Sequence, residues 1–304
     1  MPLIVGNDLM RPRLIVALLL FAGILACPVD SLASDPPVLT GGITTHSVAP
    51  GETWTSLAAR FGVEAATIAI DNHMTADSEL EPGRELYIDN RHIAPARIAA
   101  GEIVINVPQK MLFFRDGDRV LAFPIAVGRA TWPTPGGPFT VERKAHDPAW
   151  HVPSSIRAES ARKGQLLPLV VPPGPRNPLG RFFIGLSLAG IGIHGTPFPS
   201  SIYQSSTHGC IRLQAESIED LYGRVTVGTR GRIVYEPVLL AISGDATYLE
   251  VHRDVYRRLT PSTSRYAREL AKRLTMDDRI DWRVADAEIE RRAGVARLVS
   301  STAE

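Results

Sequence analysis

Alternating hydrophobic and polar positions divide the chain into regions of different character. Over residues 44–89, a short alternating run, two short amphipathic stretches and a closing run ELYI predict the order strand, helix, helix, strand. Over residues 102–236, β-runs such as PFTVER and FFIGLSL alternate with Pro- and Gly-rich turns, and one helix is predicted at AESIEDLYGRV. This second pattern is typical of a mostly antiparallel β domain.

The remaining residues, 237–304, form a C-terminal extension with less clear patterning. TYLEVHRDVY is predicted to be a strand, and SRYARELAKRL to be an amphipathic helix that packs on the β domain. We expect His252 and the arginines around it to form a solvated face. The fold class is therefore a mainly β domain with a small α+β module and a helical C-terminal tail.

The first residues indicate export. Two arginines precede the apolar run LIVALLLFAGILA, which is the order of a secretory signal peptide, and the run is shorter than the ~20 residues of a membrane span. Ser31 and Ala33 have the small-residue spacing of a cleavage site, so residues 1–33 are predicted to be removed and the mature chain to be periplasmic. An uncleaved anchor and lipid attachment at Cys27 remain alternatives.

Composition excludes some partners and isolates one cysteine. The formal net charge is +1, from 33 basic and 32 acidic side chains, which supplies no field to collect nucleic acid. Of the two cysteines, Cys27 would leave with the signal peptide, so Cys210 would be a single thiol in an exported chain. Exported proteins normally use cysteines in pairs, so such a thiol is accidental, reactive or paired between molecules.

The small module of residues 44–89 lies between two predicted linkers, residues 34–43 and 90–101. Thr53 is predicted to cap its first helix, and Asn72 to end the second. Its order of elements resembles a LysM module, a peptidoglycan-binding unit that grips N-acetylglucosamine sugars. The residues that carry the resemblance are Val48, Gly51, Glu52, Thr53, Leu57, Ala58, Phe61, Asn72, Leu80, Gly83, Leu86 and Ile88. The resemblance implies glycan binding that involves Gly51, Thr53 and Asn72; an accessory domain without a ligand is the alternative.

The surroundings of Cys210 favour nucleophilic catalysis. A thiol with an ordinary pKa of about 8.5 is mostly protonated at neutral pH, and a nearby imidazole can activate it. His208 lies two residues before the cysteine, and His194 ends the apolar run GIGI. Gly209 permits a backbone turn that aims N–H groups at an oxyanion, and Arg212 supplies a fixed charge for a substrate carboxylate. Together these residues are the parts that acyl transfer requires.

The same segment resembles the catalytic motif of the L,D-transpeptidases, which have a YkuD-type domain. The matching residues are His194, Gly195, Thr207, His208, Gly209, Cys210, Ile211 and Arg212, and TPGGPFTV, PAWHVPSS and VPPGPRNPLG extend the resemblance upstream. The resemblance implies a YkuD-type β-sandwich in which Cys210 is the nucleophile and His194, rather than the nearer His208, is its base. It assigns oxyanion binding to the N–H groups of His208, Gly209 and Cys210, and substrate positioning to Gly195, Thr207, His208 and Arg212.

The implied reaction needs no cofactor. Cys210 would attack a peptidoglycan stem peptide, and the acyl group would pass to another stem's diaminopimelate, to a lipoprotein lysine or to water; carbapenems should acylate the same thiol. A zinc site of His194, His208 and Cys210 is an alternative with the same residue types. An inert buried thiol and a non-catalytic LysM binding protein are further alternatives. The sequence indicates no oligomeric state.

Overall fold

The computed structural model describes residues 37–259 and 262–301. The predicted signal peptide and Cys27 lie outside the described residues. None of the helices in the described ranges is long and apolar enough to cross a membrane.

The N-terminal module has the predicted order of two strands around two helices. Its elements, with a flanking strand on each side, are β1 (Leu39–Thr40), β2 (Ile43–Ser47), α1 (Trp54–Phe61), α2 (Ala65–Asp71), β3 (Glu85–Asp89) and β4 (His92–Ile93). β2 and β3 pair antiparallel. Thr53 caps α1 as predicted: its side chain accepts from the N–H of Ser56, and the Ser56 hydroxyl accepts from the N–H of Thr53.

Both segments predicted as linkers contain a strand. β1 and β4 pair antiparallel, with Leu39 opposite Ile93. Glycine and proline marked these segments as irregular, but each strand is stabilised by a partner more than fifty residues away, which local composition does not show.

The β domain has one large sheet. Its elements are β5 (Ile103–Asn106), β6 (Met111–Asp116), β7 (Arg119–Pro124), β8 (Val127–Gly128), β9 (Gly137–His146), β10 (Trp150–His151), α3 (Ser154–Arg162), β11 (Val170–Val171), β12 (Phe182–Leu186), β13 (Gly192–His194), β14 (Ser205–Thr207), β15 (Ile211–Arg212), α4 (Ala215–Arg224) and β16 (Arg230–Val234). Eight strands are ordered β15-β13-β12-β9-β16-β5-β6-β7. The pairs β13–β15 and β16–β5 are parallel and the others antiparallel, so the domain is mostly antiparallel, as predicted.

Apolar side chains cover both faces of this sheet. On one face, Ile105, Leu112 and Ile184 pack beneath Ile218 and Leu221 of α4. The other face carries Phe113, which packs in a second cluster with Ala59 of α1. The sheet therefore has α4 on one face and contacts the N-terminal module on the other.

Two features of this domain were not predicted. The segment from Glu102 to Asp116 forms two strands, since residues 107–110 turn back between β5 and β6. Helix α3 was not predicted, because its sequence SSIRAESAR has only a weak apolar face.

The C-terminal extension is a small layered structure of its own. Its elements are β17 (Val238–Ser243), β18 (Ala246–Val251), α5 (Thr263–Arg273), α6 (Trp282–Arg291) and β19 (Arg297–Leu298), and the strands form an antiparallel sheet in the order β17-β18-β19. Ala267 and Ala271 of α5 pack with Val238 and Leu240 of β17. The expectation that this helix packs on the β domain is therefore wrong: its apolar face is covered by the extension's own sheet.

His252 is also not on a solvated face, because it is 3% exposed within a buried polar cluster. The carboxylate of Glu250, which is 0% exposed, accepts from His252 Nε2 and His92 Nδ1 at 2.8 Å each. It also accepts from Gln109 Nε2 at 2.9 Å and from the N–H of Ile93 at 2.5 Å. This cluster joins the extension to the β domain and to the segment that follows the small module.

A second set of polar contacts joins the extension directly to the small module. The Thr67 hydroxyl donates to the carbonyl of Ala293 at 2.8 Å. The guanidinium of Arg297 bridges Asp71 at 2.5 Å and Asp89 at 3.0 Å. Because these contacts accompany shared apolar packing, the module is docked on the extension along one face of α2 and β3.

Candidate active site

Cys210 lies just before β15, beside β13 at the edge of the sheet. The parallel register of these strands pairs Ile193 with Ile211 and His194 with Arg212. Both isoleucines are fully buried in the core, so the alternation of a strand directs His194 and Arg212 to the opposite face. One position earlier, Cys210 falls on that same face. The structure therefore brings together three of the residues predicted from the sequence.

His194 is held in one tautomer. The side chain is buried, with 4% of the residue exposed, and its Nδ1 lies 2.6 Å from the carbonyl oxygen of Gly195. Because a carbonyl can only accept, the Gly195 contact requires a proton on Nδ1, which leaves the lone pair of the neutral ring on Nε2. Burial and the neighbouring charge of Arg212 lower the pKa of His194 to about 4, although hydrogen bonds to the Gly195 and Leu179 backbone act to raise it. The ring is therefore a neutral acceptor at neutral pH.

The thiol of Cys210 is also neutral at rest. Burial raises its pKa, although a hydrogen bond from the Gly192 backbone and the charge of Arg212 act in the opposite direction. Its Sγ lies 3.6 Å from the carbonyl oxygen of Gly190. The resting pair is thus thiol and imidazole rather than thiolate and imidazolium.

Thr207 shapes the turn that carries the cysteine. Its buried hydroxyl donates to the carbonyl of Cys210 at 2.6 Å and accepts from the N–H of Gly209 at 3.1 Å. Gly209 has φ +107, a backbone region that suits glycine, and Thr134 donates to its carbonyl at 2.9 Å. The N–H of Gly209 is therefore engaged inside the loop. Of the three groups expected to bind an oxyanion, those of His208 and Cys210 remain.

Arg212 places a half-buried positive charge beside His194. In the described part of the chain it has no ion-pair partner, and its Nε is buried without a hydrogen-bond partner. A guanidinium kept from solvent without a carboxylate is suited to receive one from a ligand. This geometry fits the predicted role of Arg212.

Cys210 and His208 line a groove of about 630 Å³. The rings of Trp132, Trp150 and Phe183 supply apolar walls, and Ile156 of α3 contributes a further one. The groove is large enough for a peptide of several residues and offers both apolar and polar contacts.

His208 is turned toward Glu159 of α3. Its Nε2 lies 2.9 Å from Glu159 Oε2, and Arg129 donates to the same carboxylate at 2.5 Å. Glu159 also accepts from Lys163 at 2.7 Å, and these hydrogen bonds, from Lys163 first and then His208, lower the pKa of Glu159 to about 2. Glu159 and Arg129 were not predicted, because each looks like an ordinary surface charge in the sequence. Their contact with His208 depends on the position of α3 beside the loop that carries Cys210.

Two residues expected to bind glycan have structural roles. The side chain of Thr53 is used by the cap of α1. The amide of Asn72 donates to the carbonyls of Ile68 and Tyr87 and accepts from the N–H of Tyr87, which fastens α2 to β3. Gly51 occupies an exposed turn with φ +83. Thr53 and Asn72 therefore support the fold of the module, and Gly51 is the one of the three at an open surface.

No group of three or more His, Cys, Asp or Glu side chains within the described ranges could hold a metal ion. The zinc alternative required His194, His208 and Cys210 to converge, whereas the two rings are directed to a carbonyl and to a carboxylate. These residues do not form that ligand set.

Comparison with known proteins gives two family matches and several relatives. Residues 100–238 match the L,D-transpeptidase catalytic domain (YkuD), and residues 46–89 match the LysM domain. The probable L,D-transpeptidase ErfK/SrfK of Escherichia coli K12 is 33% identical over 273 residues, which are 85% of each chain. The protein of the same name from Salmonella typhimurium LT2 is 35% identical over 208 residues, 66% of each chain. The probable L,D-transpeptidase YbiS of Escherichia coli K12 is 35% identical over 175 residues, 56% of each chain.

Proposed function

The chain belongs to the L,D-transpeptidase family, and from that premise we propose a two-step acyl transfer on peptidoglycan stem peptides with Cys210 as nucleophile and His194 as base. The observation that carries the assignment is the shared face of β13 and β15. It holds the thiol, an imidazole of fixed tautomer and a guanidinium that has no ion-pair partner in the described part of the chain side by side.

The first step forms a thioester. Sγ of Cys210 attacks the carbonyl of the stem's third residue while its proton passes to Nε2 of His194. The oxyanion is stabilised by the backbone N–H groups of His208 and Cys210. Collapse of this intermediate breaks the peptide bond, and the imidazolium returns the proton to the departing D-alanine amine. Neutral partners at rest suit this sequence, because charge then develops only during attack.

The second step uses the same base in reverse. An acceptor amine attacks the thioester, loses its proton to His194, and breaks the C–S bond; the thiolate is reprotonated by the imidazolium. Water could replace the amine without any change in the protein groups, which gives a carboxypeptidase instead of a transpeptidase. The choice of acceptor among stem diaminopimelate, a lipoprotein lysine and water therefore depends on the groove and not on the catalytic pair.

Three contacts support His194 over His208 as base. The Gly195 carbonyl fixes the proton of His194 on Nδ1, so the lone pair of the neutral ring is on Nε2. Nε2 of His208 faces the carboxylate of Glu159 and lies 3.2 Å from Arg129 Nη2. His208 is thus committed to a carboxylate, whereas His194 is poised as an acceptor.

The protein acts at the cell wall, and we propose that it is exported to the periplasm by the N-terminal signal and held near its substrate by the LysM module. A substrate carboxylate would pair with Arg212, because a fixed cation with no ion-pair partner among the described residues gains most from an anionic ligand. The LysM module and Arg212 would together keep a stem peptide aligned along the groove.

Intact-mass measurement with imipenem tests the nucleophile. We expect the wild-type chain to gain one covalent adduct, Cys210→Ala to gain none, and His194→Gln to react at least about 100-fold more slowly, as is typical for loss of a general base. An adduct of equal extent on Cys210→Ala would refute the assignment. With disaccharide tetrapeptide as substrate, release of D-alanine with and without an added amine separates transfer from hydrolysis.

Sedimentation with insoluble peptidoglycan tests the module in the intact chain. Soluble N-acetylglucosamine oligomers should reduce binding to the pellet if the module grips glycan. Binding that persists at saturating oligomer would count against glycan recognition. Deleting residues 44–89 is a poor alternative, since it would uncover Ala293 and Val295, which pack against this module.

A further inference from the structure

Glu159 connects α3, one wall of the substrate groove, to the loop that carries the nucleophile. Its carboxylate is only 14% exposed and accepts from Arg129 at 2.5 Å, Lys163 at 2.7 Å and His208 at 2.9 Å. Arg129 is itself tied to the catalytic loop, because its backbone N–H donates to the Thr207 carbonyl at 3.1 Å. One carboxylate thus joins three segments around the groove.

We propose that Glu159 is a positioning residue for the acyl-transfer reaction, which fixes His208 in one orientation beside Cys210 and holds α3 over the groove. The inference rests on the proposed function of Cys210 and extends it to a residue outside the catalytic motif. Glu159 does not touch the reacting atoms; it acts through His208 and Arg129.

The contacts determine which atom of His208 faces substrate. Because a carboxylate only accepts, the 2.9 Å contact with Glu159 requires a proton on Nε2 of His208, and the Arg129 guanidinium donates to the nearer carboxylate rather than to the ring. Nδ1 is then the ring atom left for a ligand, and the ring itself is steadied by an edge-on contact with Trp132 at 5.1 Å between centroids. His208 lines the same groove as Cys210, so its orientation sets a polar contact at the point of attack.

Loss of the carboxylate would leave two donors facing each other. Arg129 Nη2 and His208 Nε2 are 3.2 Å apart, and both point hydrogens toward the space that Glu159 now fills. His208 would have to turn away or lose that proton, and α3 would lose its charged contact with the loop. Substrate binding and acylation should both suffer.

Glu159→Gln tests this with Lys163→Ala as the matched control. Lys163 binds the same carboxylate from one turn along α3, but its side chain is 64% exposed and it does not contact the catalytic loop. Imipenem acylation of Glu159→Gln should be about 10- to 100-fold slower than wild type, the size expected for a lost charged hydrogen bond, and Lys163→Ala should stay within about twofold. Glu159→Asp, which keeps the charge, should recover part of the rate.

Nitrogen-15 NMR of the histidine side chains gives a readout that a purely structural role would not move. The Nε2–H signal of His208 should be present in wild type and Lys163→Ala, and lost or strongly shifted in Glu159→Gln at an unchanged melting temperature. Wild-type rate and signal in Glu159→Gln, or equal slowing in Lys163→Ala, would overturn the proposal. If wild type is not acylated at all, the proposed function fails, while the NMR comparison still decides whether Glu159 orients His208. Should Glu159→Gln not fold, a reduced rate of Glu159→Asp together with a shifted His208 signal would support the proposal, and a wild-type rate, or a slow rate with the signal intact, would overturn it.

Discussion

Replacing Glu250 should destabilise the protein more than any surface substitution, because this carboxylate holds three segments together. It is 0% exposed and accepts four hydrogen bonds, two of them from His92 and His252. Removing one partner of a buried charged pair costs about 3–5 kcal/mol, since the remaining donors stay buried without an acceptor. We expect Glu250→Leu to lower the free energy of unfolding by that amount at pH 7.

The pKa of Glu250 gives a second route to the same magnitude. Burial alone would raise it, but the charge of His92 and hydrogen bonds from His252 and His92 bring it from 4.5 down to about 2. A difference of about 2.5 units corresponds to roughly 3 kcal/mol. Because the folded value lies below the unfolded one, this stabilisation is present above pH 4.5 and is lost as the pH falls toward 2.

Urea denaturation followed by tryptophan fluorescence measures this effect. Glu250→Gln keeps the volume and should fall between wild type and Glu250→Leu at pH 7. Glu269→Gln is the control on the same extension: its side chain is 61% exposed in a pair with Arg265, so the loss should stay within about 0.5 kcal/mol. A Glu250→Leu variant within about 1 kcal/mol of wild type would show that the cluster does not stabilise the junction.

Further predictions concern the active site. The pKa of His194 is lowered from 6.5 to about 4, so the unfolded chain takes up this proton at a higher pH than the folded chain. The free energy of unfolding should therefore decline as the pH falls from 6.5 to 4. The decline should be shallower in His194→Gln, and equal slopes would contradict this. Thr207→Val should cost about 1–3 kcal/mol in urea denaturation, because the catalytic loop loses a buried hydroxyl with two backbone partners, whereas Thr207→Ser should retain most of the stability. Gly192→Ala would place a Cβ 2.5 Å from Phe183 Cζ and should cost about 1–3 kcal/mol, while Gly223→Ala, with open space around its Cβ, should not lower the melting temperature.

Local signals predicted what short segments determine by themselves. Thr53 and Ser56 form a cap within four residues, and the helix at AESIEDLYGRV has an amphipathic pattern that needs no partner to be recognised. The candidate nucleophile was equally visible, since His208, Gly209 and Cys210 are adjacent. A group of reactive residues that are neighbours in the sequence can be recognised without knowledge of the fold.

Contacts between distant segments account for what sequence reasoning missed. His252 was predicted to be solvated because its neighbours in the sequence are polar. In the structure it contacts the buried carboxylate of Glu250, which also binds His92 and Gln109, 158 and 141 residues away from Glu250. The link between Glu159 and His208 spans 49 residues and depends on where α3 lies. Charges that are paired across the fold look like surface charges in the sequence.

Docking of the LysM module on the extension fixes the distance between this module and Cys210. Thr67 and Arg297 fasten the module by its α2 face, and Ala59 of α1 packs against the sheet that carries Cys210. A glycan strand bound by this module would therefore lie at a constant distance from the thiol. Stem peptides at that distance along the strand would then be reached in preference to the others, because the contacts of the module fix its position.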